Sequence, residues 1–289
     1  MSLILAALIR KLIVMASPFT VYWSQVHPVF MVAAIGATVV GALYSPVSNA
    51  LNLLVFCIGV FAALYFAHVK DSYVDFFERK EDPFSFLTKR QSHRAMAISS
   101  IVVLACVLYF LRTGFWLVVP IILIGFLLSF FHTPMDLHPL GATAGYPTGL
   151  ALAALGGYYV QAGALPLSMI LFAFAVWLVL NGVKIVDDVK DYDWDKRFGK
   201  IAAPVFLGKA RAKKTAALLV AAGASFGIIL TYWGYLPLFS AVSFLPLYPA
   251  ALISLQRNSR KTLYGLDAML YGTYIFTALQ LAGLVLSAP

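Results

Sequence analysis

Charged residues are scarce in this sequence. Lys, Arg, Asp and Glu make up 11% of its 289 residues and hydrophobic residues make up 62%, whereas a soluble domain carries about 25% charged residues. So little charge cannot cover a water-facing surface, which excludes an ordinary soluble domain and indicates a membrane protein. Cysteine is scarce as well. Cys57 and Cys106 lie inside apolar runs without a CxxC spacing, which argues against a disulfide framework or a thiolate metal site.

Long apolar segments fill most of the chain. A helix needs about 20 apolar residues to cross the hydrocarbon core, and this length predicts an all-α, polytopic membrane protein with nine transmembrane helices. In the first span, polar residues between Ser24 and Pro28 predict a kink. Residues 1–16 are interrupted by Arg10 and Lys11, which favours a helix on the membrane surface over a cleaved signal peptide. The nine predicted spans cover residues 20–44, 47–69, 95–111, 115–131, 139–160, 165–186, 212–233, 236–255 and 263–287.

The placement of Lys and Arg predicts the orientation of these spans. With the nine spans above, 20 of the 21 basic residues fall on one side of the membrane and only Arg112 falls on the other. Cytoplasmic segments carry such an excess, so we expect a multi-pass cell membrane protein with a cytoplasmic N-terminus, cytoplasmic loops at 70–94 and 187–211, and the C-terminus outside. Because the bases are spread over four segments, the net charge of +9 fits attraction to anionic lipid and not nucleic-acid binding.

Ten of the twelve acidic residues form two clusters, one at the start of each long charged loop. Within them, Asp71 and Asp75 are four residues apart, and Asp187, Asp191 and Asp195 repeat the same spacing. This spacing places the carboxylates on one face of a helix, where like charges repel. The first cluster is Asp71, Asp75, Glu78, Glu81 and Asp82, and the second is Asp187, Asp188, Asp191, Asp193 and Asp195.

A bound cation would relieve this repulsion. Mg²⁺ is the natural candidate because proteins hold it through one or two carboxylates together with substrate phosphates. Two facing clusters would then clamp a diphosphate, while basic residues nearby hold its remaining oxygens. Lys184 is the strongest of these because it lies at hydrocarbon depth, where a charge usually has a functional partner. The plain alternative is a pair of solvated helix ends.

A diphosphate site at the mouth of a hydrophobic bundle points to a lipid diphosphate. Attack of water on phosphorus would make the protein a lipid phosphatase. Cleavage of the C–O bond would instead release diphosphate and leave an allylic carbocation to alkylate an acceptor. A cation-coupled transporter is the rival from another class, although its acids would be expected near the membrane midplane.

Both acidic motifs resemble those of the UbiA superfamily of intramembrane prenyltransferases. The stretch "DSYVDFF" is similar to the family's first motif, Asn-Asp-x-x-Asp, and "DDVKDYDWDKRFGK" followed by "APVFLG" is similar to its second. The stretch "GGYYVQAG" is similar to the branch that prenylates 1,4-dihydroxy-2-naphthoate. Arg79 departs from the family pattern, because many members carry a third Asp there; Glu78, Glu81 or Asp82 would then supply that charge.

The resemblance implies one domain over residues 1–289, with nine helices around a central cavity that cytoplasmic cap loops cover. It also implies Mg²⁺-dependent transfer of an isoprenyl group from an isoprenyl diphosphate to a hydrophobic acceptor, either aromatic or, as in archaeal ether-lipid synthesis, geranylgeranylglyceryl phosphate. A lesser expectation places His132 and His138, in a short loop at 131–138 with Asp136, near the acceptor.

The site residues predicted on this basis fall into three groups. The predicted metal ligands are Asp71, Asp75, Asp187 and Asp191, supported by Asp188 and Asp195. The predicted diphosphate ligands are Lys70, Lys184, Arg197, Lys200, His68 and Asn181. The residues predicted to shield the carbocation or contact the acceptor are Tyr73, Tyr146 and Tyr192.

Overall fold

The computed structural model describes residues 18–255 and 259–286, and within these ranges the chain is helical and without strands. The predicted surface helix over residues 1–16 lies outside the described residues. The helices are α1 (Pro18–Trp23), α2 (Pro28–Leu43), α3 (Ala50–Tyr73), α4 (Lys89–Thr113), α5 (Val118–Met135), α6 (Pro139–Ala162), α7 (Leu167–Phe198), α8 (Ala203–Leu207), α9 (Lys209–Tyr232), α10 (Leu238–Phe244), α11 (Leu247–Ser254) and α12 (Ser259–Leu286).

Among the described residues, five helices are long and apolar enough to cross a membrane. The prediction of an all-α, multi-pass membrane protein is therefore confirmed, while the count of nine spans stays a prediction. Residues Ile98, Ile101, Leu104 and Leu108 form an exposed apolar stripe on α4, as expected of a face in contact with lipid. The five helices span Ala50–Glu78, Lys89–Thr113, Val118–Met135, Leu167–Phe198 and Lys209–Tyr232.

Two of the predicted spans are broken into shorter helices. The first is interrupted between α1 and α2 at residues 24–27, which confirms the kink expected there. The eighth is divided between α10 and α11, where Pro246 stands immediately before the second helix. Proline cannot donate a backbone hydrogen bond and clashes with the preceding turn, which accounts for the second break.

Small residues let neighbouring helices approach closely. A Cβ atom on Gly41 of α2 would lie 1.9 Å from the carbonyl oxygen of Ala154 in α6, and one on Gly157 of α6 would lie 2.0 Å from that of Thr38. A Cβ on Gly182 of α7 would lie 2.6 Å from the carbonyl oxygen of Ala216 in α9. Close approach over small residues is typical of helices that pack in a membrane.

The ends of three long helices meet at one end of the bundle. Arg79, just beyond α3, binds the Asp136 carboxylate just beyond α5, and Ile201, just beyond α7, donates its backbone N–H to the carbonyl oxygen of Asp136 at 2.7 Å. Both acidic clusters lie at these ends, so this part of the fold positions the candidate site.

Candidate active site at the acidic helix ends

The first acidic cluster begins on α3 and continues through a wider helical turn. Residues Val74–Glu78 form a π-helical turn, and the Arg79 N–H bonds the carbonyl oxygen of Val74 at 2.8 Å. Lys80 then adopts a positive φ of 56°, and the Glu81 N–H returns to the carbonyl oxygen of Asp75 at 2.7 Å. Such turns are frequent at functional sites. Here the turn folds Glu81 back toward Asp75.

Of the three acidic residues that follow Asp75, Glu81 is the one that is buried beside it. Its carboxylate is buried, whereas Glu78 and Asp82 are exposed. Asp82 nonetheless lines the cavity described below. Of the three residues expected to replace the missing Asp of the first motif, Glu81 therefore has the position that best fits this replacement.

Arg79 lies among three carboxylates. Its Nη1 is 3.0 Å from Asp136 Oδ2 and 3.7 Å from both Asp75 Oδ1 and Glu81 Oε1, and its Nη2 donates to the carbonyl oxygen of Thr133 at 3.2 Å. Burial lowers the pKa of Arg79, but the hydrogen bond and the charge of Asp136 outweigh it, so the net shift is upward. The guanidinium is therefore a fixed positive charge inside the first cluster.

Lys200 connects the two acidic clusters. The helix α7 ends at Gly199, which takes the left-handed φ of 75° that favours glycine, and the Lys200 N–H then bonds the carbonyl oxygen of Asp195 at 2.9 Å. From there Nζ lies 3.1 Å from Glu81 Oε2 and 3.9 Å from Asp75 Oδ1. Burial lowers the pKa of Lys200, yet these two carboxylates raise it by more, so the side chain stays charged.

The second cluster lies along the last turns of α7, so residues 187–198 of the expected loop are helical. Lys184 forms an ion pair with the buried carboxylate of Asp188 and lies 3.8 Å from Asp187. Thr143 of α6 donates its hydroxyl to Asp188 Oδ2 at 3.0 Å. Asp188, predicted only to support the metal, is therefore the most completely paired carboxylate of the second cluster.

The remaining acids of the second cluster differ in exposure. Asp187 and Asp191 flank Lys190 at 3.0 and 3.6 Å, respectively. Asp195 is buried, and Asp193 is exposed and pairs with Lys209 at 2.8 Å. The predicted stripe of Asp187, Asp191 and Asp195 thus contains one half-exposed, one exposed and one buried carboxylate.

A cavity of about 540 Å³ leads from the first cluster into the bundle. Asp71, Asp75, His132 and Lys184 line its polar end, and Phe56 lines its apolar part. The apolar wall also includes Ile121, Ile122, Leu150, Leu152 and Ala153. A ligand with an anionic head and a hydrocarbon tail matches this division.

Five of the predicted site residues line this cavity: Asp71, Asp75, His68, Tyr146 and Lys184. Tyr146 donates its hydroxyl to the carbonyl oxygen of Phe30 at 3.1 Å and meets the Phe30 ring edge-on. His68 stacks on His27, with ring centroids 4.5 Å apart. The five residues belong to α3, the π-helical turn after it, α6 and α7, so the fold brings them together from distant parts of the chain.

Several predicted diphosphate and acceptor residues contact the protein itself and do not line the cavity. Lys70 donates to the carbonyl oxygen of Phe130 and lies over its ring, while Asn181 donates to the carbonyl oxygen of Trp177 at 2.7 Å. Arg197 packs over Phe198. Of the tyrosines, Tyr73 packs on Phe77 and His93, and Tyr192 lies under the ammonium of Lys209.

Sequence reasoning underrated the end of α5. The expected loop at 131–138 is shorter, because α5 continues to Met135, and this helix places His132 Nδ1 3.4 Å from Asp71 Oδ1. Asp136, assigned no role beyond that loop, binds Arg79. One sequence feature could have predicted these contacts. His132 and Asp136 are four residues apart at the end of a predicted span, on the same predicted face of the membrane as both acidic clusters. His138 instead caps α6, accepting the Leu140 N–H at 3.3 Å.

A sequence model described as the UbiA prenyltransferase family matches residues 29–271. This range contains both acidic clusters and every helix from α3 to α11. No curated protein matches the sequence.

Solved structures of UbiA homologues share the fold. A homologue from Archaeoglobus fulgidus bound to GPP and Mg²⁺ superposes with a TM-score of 0.69 at 16% identity, covering 92% of this chain and 99% of the homologue. An apo homologue from Aeropyrum pernix K1 gives 0.66 at 18% identity, covering 89% and 99%. A digeranylgeranylglyceryl phosphate synthase gives 0.65 at 15% identity, covering 92% and 98%.

Proposed function

This chain belongs to the UbiA prenyltransferase family, and we propose that it transfers an isoprenyl group from an isoprenyl diphosphate to a hydrophobic acceptor within the membrane, with Asp71 and Asp75 at the donor site. The observation that carries this proposal is the cavity with carboxylates at one end and an apolar wall at the other. Membership of the family makes the protein a transferase, as the sequence predicted, and disfavours the transporter and phosphatase alternatives.

Mg²⁺ is the cofactor predicted from the sequence, and the homologue bound to GPP and Mg²⁺ agrees with it. The residues present fit this ion. Asp71 Oδ1, Asp75 Oδ1 and Glu81 Oε1 are all shielded from solvent without a hydrogen-bond partner, and carboxylate oxygen is the ligand that Mg²⁺ prefers. When bound, Mg²⁺ neutralises the charge that develops on the departing diphosphate.

Side chains of the protein stabilise the leaving diphosphate and the carbocation at the donor site. Lys184 lines the cavity while its ammonium pairs with Asp188, and its positive charge would stabilise the negative charge of the diphosphate. When the C–O bond of the donor breaks, its electron pair leaves with the diphosphate and an allylic cation remains. Phe30 and Tyr146 line the cavity, and aromatic faces stabilise a cation. The apolar wall excludes the water that would capture it.

The acceptor completes the reaction by forming a bond to the allylic carbon and losing a proton. The sequence resemblance implies two acceptor classes: an aromatic ring, as in quinone synthesis, and geranylgeranylglyceryl phosphate. The structural likeness to a digeranylgeranylglyceryl phosphate synthase is compatible with the second class. We further propose that residues 1–289 form a single domain whose active face is cytoplasmic, in line with the distribution of Lys and Arg.

The test is donor turnover by the purified full chain in lipid nanodiscs. Radiolabelled isoprenyl diphosphates and Mg²⁺ are supplied with each acceptor class in turn, and both diphosphate release and the prenylated product are measured. Asp71→Asn and Asp191→Asn are expected to lower turnover at least about 100-fold, the usual scale for removing a group that stabilises transition-state charge. Asp193→Asn is the matched control, because Asp193 is exposed and pairs with Lys209.

The outcomes separate the alternatives. Release of inorganic phosphate instead of diphosphate would indicate a phosphatase, and wild-type turnover in Asp71→Asn would show that the donor site is placed wrongly. A product with only one acceptor class identifies the branch to which the enzyme belongs.

A further inference from the structure

We propose that His132 is a metal ligand, and that Asp71, His132 and Asp136 together hold one divalent cation through an imidazole nitrogen and two carboxylate oxygens. The assignment concerns residues outside both acidic motifs, except for Asp71. It deepens the proposed function, on which it rests for the identity of the reaction that the cation serves.

The distances among the three side chains suit a common cation. One ligand atom from each residue lies within 4.8 Å of the other two, and His132 Nδ1 is 3.4 Å from Asp71 Oδ1. Two adjacent octahedral ligands, each at 2.0–2.1 Å from a small divalent cation, are about 3 Å apart. Moving His132 Nδ1 toward Asp71 by a few tenths of an ångström therefore brings the pair to coordination geometry.

The facing atoms of this pair lie 3.4 Å apart and lack a hydrogen bond. His132 Nδ1 and Asp71 Oδ1 are each shielded from solvent, and neither has a hydrogen bond. Nearly all shielded polar atoms in folded proteins have a partner, because leaving one unpaired costs about 1–3 kcal/mol. A cation between the two atoms satisfies both at once. The Asp136 side chain, which completes the trio, is only 8% exposed.

Fixed positive charges direct the cation toward Asp71. Arg79 and Lys200 both lie within 4.0 Å of Asp75 and of Glu81, so that half of the cluster is already neutralised. Among the described residues, no Lys or Arg lies within 4.0 Å of Asp71, whose one partner at that distance is His132. Of the three carboxylates Asp71, Asp75 and Glu81, only Asp71 therefore has no described Lys or Arg at this distance.

Arg79 also prepares Asp136 for this role. Its Nη1 binds Oδ2 of Asp136 at 3.0 Å, which leaves the other carboxylate oxygen available. Carboxylates that bind metals are commonly held by such a hydrogen bond, which fixes their orientation. The Arg that interrupts the first acidic motif thus positions a metal ligand that lies outside the motif.

A nitrogen ligand changes which metals the site prefers. Mg²⁺ is bound almost always by oxygen, whereas imidazole suits later transition metals such as Fe²⁺, Ni²⁺ and Zn²⁺. The structure therefore predicts that this chain binds later transition-metal cations more tightly than Mg²⁺, with a directly coordinated histidine nitrogen. Mn²⁺ shares the ligand preference of Mg²⁺ and is paramagnetic, which makes it a suitable probe of the site.

The test is a Mn²⁺ titration of the purified full chain without donor, read by electron paramagnetic resonance. Electron spin-echo envelope modulation of the bound Mn²⁺ should show coupling to one ¹⁴N nucleus, which changes to a ¹⁵N pattern when histidine is isotopically labelled. His132→Asn should abolish this coupling and weaken Mn²⁺ binding at least about tenfold, the smallest loss usually seen when a metal site is disturbed.

Two histidines provide matched controls. His68→Asn removes another imidazole that lines the same cavity and should leave the nitrogen coupling in place. His93→Asn removes an exposed imidazole that packs on Tyr73, and should change neither the coupling nor the Mn²⁺ affinity.

Absence of nitrogen coupling in the wild-type protein overturns the assignment without any variant, as does coupling that persists in His132→Asn or disappears in His68→Asn. This result is separable from the proposed function. Nitrogen coupling without diphosphate release from any donor would refute the proposed function alone, and diphosphate release without nitrogen coupling would refute the role of His132 alone.

Discussion

The ammonium of Lys200 lies 3.1 Å from the carboxylate of Glu81, and this ion pair joins the two acidic helix ends. Glu81 follows the π-helical turn after α3, and Lys200 follows the end of α7. The Glu81 side chain is only 2% exposed, so the pair is largely withdrawn from water. The contact therefore fixes the spacing between the two halves of the proposed donor site.

Lys200→Met is expected to destabilise the protein because it removes the nearest cation from a buried carboxylate. Breaking a buried ion pair costs about 3–5 kcal/mol, and the lower end is expected here because Arg79 remains 3.7 Å from Glu81. The measurement is the apparent melting temperature in detergent, together with donor turnover.

Lys190→Met is the control for this variant. Lys190 lies at nearly the same distance from Asp187, 3.0 Å, but both side chains are more exposed, and pairs in contact with solvent contribute about 1 kcal/mol or less. Equal shifts in the two variants would show that the Lys200–Glu81 pair has no special structural role.

Lys184 is expected to have two separable roles, one in folding and one in donor binding. Lys184→Met leaves the buried Asp188 without its cation, so both thermal stability and donor affinity should fall. In the double variant Lys184→Met/Asp188→Asn the uncompensated charge is gone, and stability should recover while donor affinity does not. Recovery of both quantities would mean that Lys184 only neutralises Asp188.

The residue types and spacings of the acidic clusters predict where the candidate site lies. A helix ending in carboxylates four residues apart can be recognised in any sequence, and the bias of Lys and Arg places both clusters on one face of the membrane. Lys184 was expected to have a functional partner because its charge lies at the predicted hydrocarbon depth. In the structure it pairs with Asp188, and its contact with diphosphate stays a prediction.

The contacts across helices could not be predicted in the same way. Arg79 reaches Asp136 because the π-helical turn widens the end of α3, and no local spacing predicts that turn. Lys70 was predicted to bind diphosphate because it lies beside the first acidic cluster, yet its ammonium binds the carbonyl oxygen of Phe130 on a different helix. Sequence spacing fixes the face of a helix, whereas the partner of a long side chain depends on the neighbouring helix.

Gly149→Leu is expected to shift donor preference toward shorter isoprenyl chains. Gly149 lines the cavity, and a Cβ atom at this position would meet no atom within 4 Å, so a larger side chain can enter the space without displacing a helix. Leucine would occupy volume that the donor tail otherwise fills. The check is the ratio of turnover with geranylgeranyl diphosphate to turnover with dimethylallyl diphosphate, which should fall; an unchanged ratio would place the tail elsewhere.

The close contact between α2 and α6 predicts that two glycines of the same helix respond in opposite directions to alanine. Gly41→Ala would place a Cβ 1.9 Å from the carbonyl oxygen of Ala154, so the helices must separate, whereas a Cβ on Gly36 meets no atom within 4 Å. Gly36→Ala should be neutral or stabilising by up to about 1 kcal/mol, because alanine is the better helix former. Gly41→Ala should instead lower the apparent melting temperature in detergent. Equal melting temperatures for the two variants would contradict the tight packing of α2 on α6, and with it the position of Phe30, which α2 places beside Tyr146 in the cavity.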